Sequence, residues 1–115
     1  MFTLAWTPEA KAAYDELKAK AEASLASRRK TGKAKSSRDE GLFKQVHKTL
    51  TLLASNPKHP GLQTHQYRSL PHPYDSKQKV FEAYVQSQTP GAYRVFWCYG
   101  PGARQITLVA ITPHP

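Results

Sequence analysis

Arg94, Glu82 and five histidines are the side chains of this chain with types suited to chemistry. A guanidinium can hold two oxygens of one anion at once, and carboxylates and imidazoles can move protons near neutral pH. Arg94 lies in AYRVFWCYG, residues 92–100, and Glu82 lies in KVFEAYVQ, residues 79–86. Both runs are β-branched or aromatic and are bounded by Pro, Gly, Asp or Ser, so both read as strands. Successive strand residues point to opposite faces. Lys79, Phe81, Ala83 and Val85 therefore share one face, and Val80, Glu82 and Tyr84 the other. In the next strand Tyr93, Val95, Trp97 and Tyr99 oppose Arg94, Phe96 and Cys98. The bulkier set in each strand is expected to cover helices, which leaves Glu82, Tyr84 and Arg94 on an open face. A Glu82–Arg94 pair across neighbouring strands then depends on register, and a plain surface salt bridge is the simpler account of it.

The histidines divide by context. His47 falls on the apolar stripe of a helix and reads as a core or boundary residue. His59, His65 and His72 lie in the turn-rich stretch NPKHPGLQTHQYRSLPHP, with His65 opening a strand, and His114 follows the last strand in AITPHP. Taken singly, each reads as structural or idle. With the lone Cys98 they show no C-x-x-C or H-x-x-x-H spacing, so no metal site is expected. There is no phosphate-binding glycine loop and no serine nucleophile elbow, and no cofactor is expected.

The elements that must position these residues are legible from periodicity. Phe2, Leu4 and Trp6 alternate with Thr3 and Ala5, as in a short strand. Thr7 before Pro8 starts a helix, because threonine caps and proline suits the first turn. Ala10, Ala13, Tyr14, Leu17, Ala21 and Leu25 recur at helical spacing. Acids come early in that helix and Arg28, Arg29 and Lys30 late, as the helix dipole favours. A second helix over about 38–55 carries Phe43, Val46, Leu50 and Leu53 on one stripe and ends at SNP, since the residue before proline disfavours the helical region. Four strand-like runs follow, and GPGAR joins the last two as a hairpin. Short connections between consecutive strands imply an antiparallel meander. The expected fold is α+β, with an N-terminal strand and a two-helix hairpin packed on one face of a mostly antiparallel four- to five-stranded sheet. Residues 1–115 are expected to form one domain.

Lys and Arg number 17 against 8 Asp and Glu, a formal net charge of +9. Such an excess favours polyanions, either nucleic acid or an acidic protein. It is concentrated in RRKTGKAKSSR, residues 28–38, whose six cations face no acid. That inter-helix loop reads equally as a phosphate-contacting arm or as a solvated loop. No run of 18 apolar residues and no signal-peptide pattern at Met1 occur, so a soluble, cytoplasmic protein with no membrane partner is expected. A single cysteine fits a reducing compartment.

The runs LFKQVHKTLTLLASNPKHPGLQTHQYRSL, KVFEAYV, AYRVFWCYG and ITLVAITPHP resemble the RelE/ParE superfamily of bacterial toxins, over residues 42–115. The resemblance implies the toxin of a type II toxin–antitoxin system, with an acidic or DNA-binding antitoxin as partner. Its RelE-like branch cleaves messenger RNA in the ribosomal decoding site, without a metal ion, and so inhibits translation. The ParE-like branch poisons DNA gyrase and is not a nuclease; a catalytically inactive binding module of the same fold is a further alternative. For the nuclease branch the resemblance implies Arg94 on the scissile phosphate, His114 as general acid, and Glu82 or His65 as base. Arg68, Lys79, Tyr84 and Arg104 are the expected RNA contacts. RelE itself carries lysines on the strand before the arginine. Here Val80 and Glu82 stand in that strand, which leaves open a glutamate/histidine variant or a toxin fold without catalysis.

Overall fold

A computed structural model of the chain describes residues 1–32, 35, 37–87 and 90–114. Strand β1 (Thr3–Trp6) leads into helix α1 (Pro8–Thr31), followed by α2 (Arg38–Ser55) and a short 3-10 turn (Pro60–Leu62). Strands β2 (His65–Tyr67), β3 (Val80–Tyr84), β4 (Tyr93–Tyr99) and β5 (Gln105–Pro113) complete the order. They form a five-stranded sheet ordered β1-β5-β4-β3-β2. All pairs are antiparallel except β1 with β5, which run parallel because the helical hairpin intervenes.

The helix ends follow their local chemistry. Thr7 Oγ1 accepts from the Ala10 N–H at 3.1 Å and donates to the Val109 carbonyl at 2.8 Å, so one hydroxyl caps α1 and ties it to β5. Gly32 closes α1 in the left-handed region at φ 74°, where a side chain would be strained. Ser37 and Glu40 form a reciprocal capping box at the start of α2. Glu40 also takes the Arg28 guanidinium at 2.7 Å, which clamps α1 to α2 near the tip of the hairpin. Arg28, at the start of the basic loop, is thus part of this clamp. Residues 33, 34 and 36 of the basic loop lie outside the described residues.

The main core lies between the helices and the sheet. Leu17, Val46, Leu50 and Leu53 of the helices meet Val95, Trp97, Ile106, Leu108 and Ile111. In β5 the inward residues are not strictly alternate, because the pairing shifts from Phe96 with Ala110 to Trp97 with Leu108. Val109 is the extra residue, a bulge that restores inward aim to both Leu108 and Ile111.

Two expectations need correction. The second sheet face is not open at its centre: Val80, Phe96 and Cys98 form a smaller core there, covered by Tyr67, Leu70, Val109 and Ala110. The chain after β2 folds back across that face and excludes water from it. His47 is exposed, with its ring 6.4 Å from that of Phe43, because the apolar stripe of α2 is centred on Val46 and Leu50.

Candidate active site

Register decides what the second face can do. His65 pairs with Glu82 across β2 and β3, Tyr84 pairs with Arg94 across β3 and β4, and Arg94 pairs with Thr112 across β4 and β5. The Ala92 carbonyl accepts from the His114 N–H at 2.8 Å, which extends the β4–β5 ladder by one step and fixes His114 beside Arg94. Residues from four segments, distant in sequence, thus meet at one end of the sheet.

Glu82 is the centre of the group and is 1% exposed. Its Oε1 lies 2.5 Å from His65 Nε2, and its Oε2 lies 3.3 Å from His114 Nε2 and 3.8 Å from Arg94 Nε. A buried carboxylate is costly unless cations and hydrogen bonds surround it; three basic side chains lie 3.8 Å away or less, while Oε2 and Arg94 Nε make no hydrogen bond among the described residues. His65 and His114 are about half exposed, at 49% and 47% of their side-chain surface, so they form the solvent-facing rim. Arg94 is 7% exposed. Its guanidinium lies 3.7 Å from the centre of the Tyr84 ring, and its Nη1 donates to the carbonyls of Gln86 and Tyr93. Its Nε, 3.8 Å from Glu82 Oε2, is buried with no hydrogen-bond partner among the described residues.

Both ring nitrogens of His65 face an acceptor. Its Nδ1 lies 3.2 Å from the Gln63 carbonyl and its Nε2 lies 2.5 Å from Glu82 Oε1, with the role of each nitrogen set by the tautomer. The tautomer that donates Nε2–H to Glu82 keeps a lone pair on Nδ1. That lone pair is what a general base needs.

All four residues expected to carry catalysis are brought together. The expected RNA contacts are not all placed alike. Tyr84 belongs to the cluster, stacked on Arg94 and edge-on to His65 at 5.8 Å. Arg68 and Lys79, both exposed, line one groove at the β2–β3 connection, beyond the far ends of those strands from His65 and Glu82. Lys77 lines the same groove and was not anticipated, because it sits in a turn with no periodic signal. Arg104 stands apart. It lies in the β4–β5 turn, at the opposite end of the hairpin from Arg94 and His114, against Phe2 and the Met1 carbonyl. The antiparallel run of β4 and β5 separates them. Gln86 was also missed: it supplies a carbonyl to Arg94, takes the Tyr93 N–H on its side chain, and reaches Gln45 on α2. Among the described residues, no group of three or more His, Cys, Asp and Glu is arranged to hold a metal ion. No described helix is long and apolar enough to cross a membrane.

No protein-family model and no curated protein sequence matches the chain. Solved structures do. A YoeB/ParE toxin from Agrobacterium tumefaciens superposes with a TM-score of 0.60 at 9% identity, covering 98% of this chain and 99% of the other. The YoeB dimer from Staphylococcus aureus gives 0.57 at 10% identity, covering 99% and 98%. A copper-bound mutant toxin from Helicobacter pylori gives 0.50 at 12% identity, covering 99% and 96%. At these identities the likeness is one of fold, and the fold is the RelE/ParE-like one that the sequence resemblance implied.

Proposed function

We propose that this chain, with its RelE/ParE-like fold, is a toxin that cleaves messenger RNA by attack of a ribose 2′-hydroxyl, and that an antitoxin holds it in check. The observation that supports the reading best is the convergence of His65, Arg94 and His114 on the buried Glu82 carboxyl. In this scheme His65 takes the 2′-hydroxyl proton, with Glu82 as the buried group that orients the ring and balances its charge. The freed oxygen attacks phosphorus, and Arg94 stabilises the charge that builds on the phosphate oxygens. The P–O5′ bond breaks as His114 protonates the leaving oxygen, giving a 2′,3′-cyclic phosphate and a 5′-hydroxyl. Every step is served by an ionisable side chain of the chain itself, so the scheme needs no metal ion. In the tautomer that keeps Nε2–H on Glu82 the accepting atom is Nδ1, so bound RNA must displace the Gln63 contact.

Arg68, Lys77 and Lys79 line a second basic groove at the far ends of β2 and β3 from the cluster and offer contacts for the RNA backbone beyond it. The ribosome is the proposed site of action and the cytoplasm the proposed location. The net charge of +9 supports an acidic partner surface on the antitoxin.

One observation favours a second reading. Arg94 is nearly buried and already bonded through Nη1, as befits a structural ion pair in a binding module, including a gyrase inhibitor of ParE type. The test is to add purified protein, stripped with EDTA and desalted, to a translation reaction and map the RNA ends. Cleavage leaving 2′,3′-cyclic phosphates, lost in Arg94→Ala and His114→Ala, supports the nuclease. Intact RNA together with inhibited DNA supercoiling supports the second reading.

A further inference from the structure

On the sheet face opposite Glu82, the segment 57–64 leaves a groove of about 510 Å3 beside β3 and β4. Its wall is aromatic. Phe81 stacks on Trp97 at 4.9 Å, and Tyr99 stands edge-on to both, 5.0 Å from Trp97 and 5.9 Å from Phe81. Trp97 is 1% exposed, and its Nε1–H has no hydrogen-bond partner among the described residues. The hydroxyl of Thr64, which lines the same groove, is likewise buried without a partner. Buried polar groups are nearly always hydrogen-bonded, so two orphans beside one groove mark a place where something else supplies the partner.

The rim sets the charge of that partner. Lys58 lines the groove and is exposed. His59 lines it too, and its Nδ1 accepts from the Gly61 N–H at 2.9 Å, which turns Nε2 into the ring's free donor position. No carboxylate is among the lining residues. An aromatic wall, several donors, a lysine and no acid together select a flat, acceptor-rich, anionic molecule. The size falls within the usual range for small-molecule pockets.

We infer that this groove binds a nucleotide, its base against Phe81 and Tyr99 with acceptors toward Trp97 Nε1 and Thr64, and its phosphate at Lys58 and His59. The orphaned atoms are covered in the free protein, so the base reaches them as a rim side chain turns aside. Tyr99, 40% exposed, has the room to do so. The inference stands apart from the catalytic reading, since Phe81 and Trp97 alternate with Glu82 and Phe96 and face the other way. The nucleotide is either free or one unit of an RNA strand.

The indole N–H resonances of the intact protein test this directly, because Trp6 and Trp97 give separate signals. The four nucleoside 5′-monophosphates and a single-stranded trinucleotide are titrated in turn, with inorganic phosphate and a short acidic peptide as controls. Saturable movement of the Trp97 signal with Trp6 unmoved is expected. Tyr99→Ala, which removes a stacking partner, and Lys58→Ala, which removes the cation at the phosphate, are each expected to weaken binding roughly tenfold, while His114→Ala leaves it intact. Equal affinity for monomer and trinucleotide identifies a free nucleotide as the ligand, and tighter trinucleotide binding identifies RNA. A Trp97 signal unmoved at about 10 mM nucleotide overturns the inference. So does the same movement with phosphate alone or with the acidic peptide only, or undiminished binding by both groove variants.

Discussion

Nε2 of His65, on the short edge strand, lies 2.5 Å from Oε1 of Glu82, the most deeply buried carboxyl of the sheet. The contact links a half-exposed imidazole to a site that water does not reach. Glu82 also faces His114 and Arg94, so the three basic side chains converge on one carboxyl. If His65 and Glu82 act as a unit, their removal is non-additive. Glu82→Gln and His65→Ala are each expected to lower RNA cleavage by about 10²-fold or more, and the double variant by little beyond the worse single. Single-turnover cleavage rates check this. Multiplying effects would show two independent roles. Circular dichroism of Glu82→Gln, which keeps the shape of the side chain, separates lost chemistry from lost fold.

Arg94 does two things that lysine cannot do together. It stacks on Tyr84 at 3.7 Å, and it bonds backbone carbonyls through Nη1 while Nε faces Glu82. Arg94→Lys is therefore expected to behave as a severe loss, of about 10²-fold in cleavage. Tyr84→Phe, which keeps the ring, is expected to stay within a few-fold of the unaltered protein, and Tyr84→Ala to fall well below it. Cleavage by Arg94→Lys at the unaltered rate would show that Arg94 acts only as a positive charge.

Much of this site could be read before the fold was known, and the reason is parity. Glu82, Tyr84 and Arg94 occupy alternate positions on adjacent strands, so their shared face follows from the period of two. Their burial does not. It depends on His65, Tyr84, Arg94 and His114 closing around Glu82 from four separate segments, contacts that no local pattern encodes. The bulge at Val109 was equally hidden, because ITLVAI reads as a continuous apolar run in any register. Gln86 escaped notice for a different reason: it acts through its carbonyl and a neutral amide, which carry no signature of type or spacing. The helices were the easiest part, since Thr7 before Pro8, the two apolar stripes and SNP are signals confined to a few residues.

The hairpin clamp gives the fold an acid limit. The Arg28 guanidinium, followed by the backbone N–H of Ser37, holds the Glu40 carboxyl down at about 2. A carboxyl held low in the folded chain stabilises it above the unfolded value and loses that contribution as pH falls toward the folded one. An unperturbed glutamate titrates at 4.5, so the loss is expected between about pH 4.5 and 2. Thermal melts of the unaltered protein and Glu40→Gln, run across that range, should differ at pH 7 and converge near pH 2. A constant gap would mean that the capping hydrogen bond matters and the charge does not.

Cys98 offers the opposite case. Burial between β3 and β5 pushes its thiol up to about 11, against a smaller lowering by a backbone hydrogen bond at Thr107. The thiolate is the reactive form, and at pH 8 the folded protein holds almost none of it and shields what there is. Iodoacetamide at pH 8 is expected to leave Cys98 unmodified in the native protein and to alkylate it fully in guanidinium chloride, as intact mass reads directly. The sign for stability is also set. A thiol whose value is raised on folding resists ionisation while the unfolded chain ionises freely, so stability falls as pH rises from about 9 through 11. Cys98→Ala removes the titrating group and should flatten that part of the profile, although its smaller side chain leaves a space beside Val80 and Phe96 and lowers the melting temperature at every pH. A profile that stays steep in Cys98→Ala would assign the alkaline loss to the tyrosines or lysines instead.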